Sequence, residues 1–175
     1  KIINLDEIPS FKCKNKLQKS KSLKQEYSIA YTSGSTGSPK MVISDEKSHL
    51  NRLLWLRDNY PMKNEDVGAY KTKISFAPSI REILEPLIQG SKICIISDEE
   101  LHEPQKLLQT IKNNKLTRIF FTPSHLVNLL DFNDAAKYLT TIKHLEISGE
   151  PIDNRVLTTI QQQLANTKIY NRYGA

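Results

Sequence analysis

Cysteine and glycine are both scarce in this chain of 175 residues, which holds two Cys and six Gly. Cys13 and Cys94 cannot build a disulfide framework or a four-ligand zinc site, so a reduced, cytoplasmic setting is the expectation. No apolar run approaches the ~18 residues that span a bilayer. The opening KIINLDEIPSF lacks the basic start and long apolar stretch of a signal peptide. Neither a membrane partner nor a secretory leader is expected. Against these shortages, Leu, Ile, Val and Phe fill 48 positions, about 27% of the chain. That exceeds the ~20% below which disorder is the default, and it supplies the core of one ordinary domain.

The net charge of +6 invites a nucleic-acid reading, but the charge is unevenly placed. Residues 1–26 carry seven Lys against three acids, which leaves only +2 for the rest. No aromatic residue interrupts CKNKLQKSKSLKQE to stack on a base. A solvated lead-in over 1–26 is expected, and no nucleic-acid partner.

From residue 27 onward, short apolar runs alternate with helical patterns. Tyr27–Thr32, Met41–Ser44, Lys73–Phe76, Lys92–Ser97, Thr117–Thr122, Lys143–Ile147 and Thr167–Tyr170 read as strands. Helices are expected from Asp45 as cap to about Tyr60, over Ser79–Gln89 closed by Gly90, over Glu103–Asn114, from Pro123 to about Leu130, and over Asp153–Ala165. Pro86 should kink the second of these. This rhythm argues for an α/β fold: an open, mostly parallel sheet with helices on both faces, its ligands beyond the carboxyl ends of the strands. Leu56 and Trp55 on the first helix are expected in the core. Cys94 reads as a buried small hydrophobe. Glu82 and Glu85 read as a solvated helical face. His49, His102, His125 and His144 show no metal-ligand spacing.

Four of the six glycines, Gly34, Gly37, Gly149 and Gly174, follow expected strands. The segment YTSGSTGSPK (31–40) sets two glycines, several hydroxyls and one Lys directly after a strand. Glycine lets backbone N–H groups close around an anion, and Thr32, Ser33, Ser35, Thr36 and Lys40 add donors and charge. A polyphosphate is the natural ligand. The Walker A pattern is absent, because Gly37 is followed by Ser-Pro-Lys and then an apolar strand.

This segment resembles the phosphate-binding signature of the adenylate-forming enzymes, and most closely that of nonribosomal peptide synthetase adenylation domains. Acyl-CoA ligases and luciferases of the superfamily more often carry Thr where Ser35 stands. ISFAPSIREILEPLIQGSKICI (74–95) is similar to the segment that helps form the acyl pocket. LEISGEPIDNRVL (145–157) and IYNRYGA (169–175) resemble the adenine-contacting Gly-Glu loop and the Asn-x-Tyr-Gly motif. The likeness spans residues 27–175, an incomplete ATP- and acyl-binding subdomain of a larger N-terminal domain.

The resemblance implies ATP-dependent activation of a carboxylic acid as its acyl-adenylate, with Mg2+. Transfer to the phosphopantetheine thiol of a carrier-protein domain would follow, in concert with the remainder of the synthetase chain. The implied nucleotide site comprises Thr32, Ser33, Gly34, Ser35, Thr36, Gly37 and Lys40, then Gly149, Glu150 and Pro151, then Asn171, Arg172, Tyr173 and Gly174. The implied acyl pocket comprises Phe76, Ala77, Pro78, Arg81, Phe120, Glu146, Ser148 and Arg172. Ala77 replaces the Asp that pairs with an α-ammonium in amino-acid-activating members, and Met41 replaces a usual Gly. An acidic or polar carboxylic acid is one expectation, with Arg81 or Arg172 meeting its distal group. The alternatives are that Arg81 pairs with Glu146, or faces solvent. The metal-binding Glu and catalytic Lys of the family are expected beyond residue 175, so these residues alone are expected to be inactive. Competing readings are a stand-alone acyl-CoA or aryl-acid ligase, and a non-catalytic module that binds nucleotide or a partner.

Overall fold

Runs of Ile, Phe and Leu only four residues long make most strands of the main sheet, which suits a layer covered on both faces. The computed structural model describes residues 26–32, 39–165 and 167–173. In chain order these form β1 (Glu26–Thr32), β2 (Lys40–Asp45), α1 (Glu46–Asn59), β3 (Val67–Tyr70), α2 (Pro78–Ile88), β4 (Lys92–Ile95) and α3 (Asp98–His102). There follow α4 (Pro104–Asn113), β5 (Arg118–Phe121), α5 (Pro123–Leu130), α6 (Ala135–Tyr138), β6 (His144–Ile147), α7 (Asn154–Gln163) and β7 (Lys168–Asn171). The Lys-rich lead-in and Cys13 lie outside the described residues.

Strands β3 to β7 form one parallel sheet in the order β4-β3-β5-β6-β7. The α/β architecture is thus the expected one. The hairpin β1–β2 stands apart as an antiparallel pair in which Thr32 faces Lys40, so the parallel sheet begins later than the alternation suggests. Strand order reverses between β3 and β5. In parallel sheets that reversal opens a crevice beyond the carboxyl ends.

Strand alternation gives the sheet two unlike faces. Ile119, Phe121, Leu145 and Ile147 meet Leu107, Leu108, Ile111, Leu126, Leu129 and Ile160 from α4, α5 and α7, all within 2% of full burial. Each such side chain contributes about 1.5–3 kcal/mol relative to exposure. The opposite face carries Arg118, Phe120, His144 and Glu146 toward α1 and α2. Asp45 Oδ1 accepts from Ser48 N at 2.6 Å and Asp153 Oδ1 from Val156 N at 2.8 Å, the two expected N-caps. Gly90 follows α2 at φ +70, a conformation that favours glycine.

Several expectations are corrected. Lys73–Phe76 is a turn, and the strand lies earlier, at β3. Gly68 and Ala69 mask β3 in the sequence. Pro86 of α2 lies so close to Gly68 that a Cβ there would stand 2.7 Å from Pro86 Cγ. Trp55 is half exposed while Leu56 is fully buried, because the inward stripe of α1 passes through Leu53 and Leu56. Cys94 is only half-buried. Glu82 and Glu85 are buried, not solvated.

Candidate active site

Three loops meet the carboxyl edge of the sheet after β5, β6 and β7. Thr122 caps α5, its Oγ1 accepting from His125 N. Glu150, two residues after Ser148, reaches the same helix start. Its Oε2 accepts from Ser124 N at 3.0 Å and its Oε1 from Ser124 Oγ at 2.8 Å. The Ser124 backbone bond, and then its hydroxyl, hold the Glu150 carboxyl below its ordinary pKa. Gly149 turns the loop at φ +93, where a Cβ would meet Thr122 Cγ2 at 3.4 Å. The Gly149–Glu150 loop is therefore tied to α5.

Asn171, Arg172 and Tyr173 line an open cavity of about 450 Å3 with Arg52, Trp55 and Tyr60. The Tyr173 ring is wholly exposed, and the Arg172 guanidinium lies 5.4 Å from the Tyr60 ring centre. Thr32 ends β1, and Lys40 begins β2 as an exposed residue. Ser33, Gly34, Ser35, Thr36, Gly37 and Gly174 lie outside the described residues.

The face under α2 holds a buried ionic network. Glu146 pairs with Arg81, which also lies 3.5 Å from Glu85. Arg172 Nη2 donates to Glu146 Oε1 at 2.9 Å, while its Nε stands 2.8 Å from Oε2, out of line for a hydrogen bond. His144 Nε2 lies 3.0 Å from Glu146 Oε1. An ionised carboxylate only accepts, so this nitrogen carries the proton. Burial lowers the His144 pKa, leaving the ring neutral at pH 7 and stacked on Tyr170 at 4.0 Å. Burial works to raise the Glu146 pKa, but the His144 bond and the charges of Arg81 and Arg172 bring it to about 2. Glu85 pairs with Arg118, whose Nη2 also donates to Tyr60 O at 2.9 Å. Burial raises the Glu85 pKa against the pull of Arg118.

Among the residues expected in the acyl pocket, the structure brings Arg81, Phe120, Glu146 and Arg172 together. Of the alternatives for Arg81, the pair with Glu146 is the one present. Both guanidiniums face Glu146, and the crevice between Arg81, Phe120 and Glu146 measures about 20 Å3, room for about one water. Arg81 is thus enclosed with its partner, while Arg172 pairs with Glu146 and also borders the open cavity beside Tyr60 and Tyr173. Phe76 and Ala77 are exposed, Pro78 opens α2, and Ser148 follows β6; none of them borders that crevice.

At the strand-order reversal, Lys71 went unread in the sequence and Glu82 was read as part of a solvated face. Glu82 accepts from Lys71 N at 3.0 Å, Thr72 N at 2.9 Å and Thr72 Oγ1 at 2.8 Å, which fixes the loop leaving β3. Lys71 then extends its Nζ to 5.1 Å and 5.2 Å from the Phe120 and Phe121 ring centres. A Lys-Thr pair right after a strand was the available signal, hidden by placing the strand at 73–76. Among the described residues, no group of three or more His, Cys, Asp or Glu is placed to hold a metal, so no side chain here is assigned to Mg2+.

A family model described as AMP-binding enzyme matches residues 4–175. The chain belongs to that family. It is 37% identical over 151 residues to enterobactin synthase component F of Escherichia coli (strain K12), spanning 83% of this chain and 11% of that protein. It is 30% identical over 146 residues to bacitracin synthase 3 of Bacillus licheniformis, spanning 83% of this chain and 2% of that protein. The family member described here thus spans a small part of these relatives. Among solved structures, the N-terminal subdomain of Klebsiella oxytoca NpsA in complex with 3-hydroxyanthranilyl-AMSN superposes with a TM-score of 0.75 at 25% identity, covering 88% of this chain and 38% of that one. The nonribosomal peptide synthetase FmoA3 shares the fold, with a TM-score of 0.80 at 18% identity, covering 91% and 17%.

Proposed function

We propose that the full-length protein activates a carboxylic acid as its acyl-adenylate at the expense of ATP. The observation that carries the reading is family membership over residues 4–175. A carboxylate oxygen attacks the α-phosphorus of ATP, the bond to the bridging α–β oxygen breaks, and pyrophosphate leaves. A phosphopantetheine thiol of a carrier-protein domain then attacks the acyl carbon, giving a thioester and releasing AMP. The first step joins two anions, so positioning and charge neutralisation supply its catalysis.

In this reading the loop from Thr32 to Lys40 holds the β- and γ-phosphates; the Thr32–Lys40 pairing keeps its two ends together. Gly149, Glu150 and Pro151 border the adenine. Glu150 does so as a brace, because its carboxylate is committed to Ser124. Asn171 offers an amide to the purine edge and Tyr173 an exposed ring face. Mg2+, when bound, would offset phosphate charge.

ATP–pyrophosphate exchange by the full-length protein tests the proposal. Acid-dependent exchange is expected. ATP binding with no exchange for any acid refutes it and favours a non-catalytic module, while thioester formation on free coenzyme A favours a stand-alone ligase.

A further inference from the structure

The loops that leave β5 and β6 stay in register past the end of the sheet. Phe121 pairs with Ile147 as the last residues of the ladder, and Ser148 N then donates to Phe121 O at 3.2 Å. One residue further, Gly149 turns over Thr122, leaving 3.4 Å between Thr122 Cγ2 and the place of a Cβ. Next, the Glu150 carboxylate takes both the N–H and the hydroxyl of Ser124. A carboxylate held at both oxygens is fixed in direction as well as in distance. Ser124 N belongs to the first turn of α5, where a backbone N–H has no intrahelical acceptor, and a negative charge is favoured at that end of a helix. Thr122 Oγ1 lies 3.3 Å from Ser124 Oγ and accepts from His125 N, which steadies the hydroxyl from the other side. The turn that follows β6 is therefore set in place by α5 before any nucleotide arrives, and a site set in place beforehand loses less free energy on binding.

Resting on the adenylation reading, we propose that Ser124 is a positioning residue of the nucleotide site, which fixes the Gly149–Glu150 turn where it borders the adenine. Affinity for the adenosine half of ATP is then governed from the start of α5. Ser124 acts through Glu150 and has no contact of its own with the nucleotide. The β- and γ-phosphates, held by the loop from Thr32 to Lys40, do not depend on it.

The test is nucleotide binding by calorimetry, with ATP–pyrophosphate exchange, on the full-length protein. Ser124→Ala removes the hydroxyl bond and keeps the backbone bond. It should raise the Kd of ATP and of adenosine by the same factor, about 3- to 10-fold, the worth of one exposed hydrogen bond. The KM values of pyrophosphate and of the acid should hold, and Ser124→Thr, which keeps a hydroxyl, should restore both affinities. Glu150→Ala should weaken both ligands, and S124A should add nothing in that background, because the two residues act as one unit. Wild-type adenosine affinity in S124A overturns the assignment, as do a matching rise in the KM of pyrophosphate or of the acid, and additivity with E150A. ATP binding without exchange for any acid overturns the adenylation reading alone, since the two Kd values still measure Ser124. A wild-type protein that does not bind ATP overturns both.

Discussion

Replacing Glu146 by Gln would leave Arg81 and Arg172 facing an amide in a buried place. The Glu146 side chain is 1% exposed and Arg81 9%, so water cannot stand in for the lost charge. Removing one partner of a buried pair costs about 3–5 kcal/mol, because the other charge stays behind unmatched. Linkage gives an independent magnitude. The Glu146 pKa falls from 4.5 to about 2 on folding, a shift that corresponds to about 3 kcal/mol. Its sign is set by the lowered folded value. The stabilisation is complete above pH 4.5 and is lost as pH falls toward 2. Glu85 acts oppositely, its raised pKa meaning that its protonation in acid favours the folded state. Hydrogen exchange of the β6 amides in the full-length protein reads this locally. At pH 7, E146Q should lower protection at His144–Ile147 about 100- to 1000-fold, and by much less at pH 3. The triple variant R81M/E146L/R172M should lose less than E146Q alone, since no guanidinium is then left facing an uncharged group. Wild-type protection in E146Q, or an equal loss at both pH values, would refute the account.

Three further outcomes follow from geometry. Gly68→Ala should destabilise the fold by about 1–3 kcal/mol, seen as a lower Tm, because the new Cβ meets Pro86 Cγ at 2.7 Å; an unchanged Tm would mean that α2 can shift. Gly149→Ala, at φ +93, should cost about 1–2 kcal/mol and raise the KM for ATP in pyrophosphate exchange; an unaltered KM would detach this loop from the nucleotide. The imidazole of His144 should titrate below pH 6.5 by NMR, since burial and the charge of Arg118 oppose protonation, and a midpoint at or above 6.5 contradicts the neutral tautomer.

The apolar half of the fold was legible in the sequence because local signals agree there. RIFF and HLEI pack against α4, α5 and α7, whose inward Leu and Ile spacing points to one face. Position β3 failed because VGAY has glycine and alanine at its centre, where α2 presses closest, while KISF nearby imitates a strand. That one displacement put Lys71 ahead of a strand instead of at its carboxyl end. The polar face was misread for another reason. An acid on a helix reads as solvated unless its partners are known, and Arg118 lies 33 positions from Glu85 while Arg81 lies 65 from Glu146, brought close only by the packing of α2 on the sheet. Four residues expected around the acyl pocket, Arg81, Phe120, Glu146 and Arg172, do lie together, but their mutual pairing depends on side-chain direction.

The two faces of the sheet differ in how they can change over generations. On the apolar face, one Leu or Ile can become another with modest loss, so neighbouring sequences are reachable one step at a time. On the face under α2, Glu146 is a node shared by Arg81, Arg172 and His144, and any single replacement strands at least one partner. Drift there is blocked at the first step, and a new charge pattern has to arise through paired replacements whose effects are not additive. Libraries that vary Arg81, Glu146 and Arg172 together should therefore yield folded variants that saturation of any one position misses.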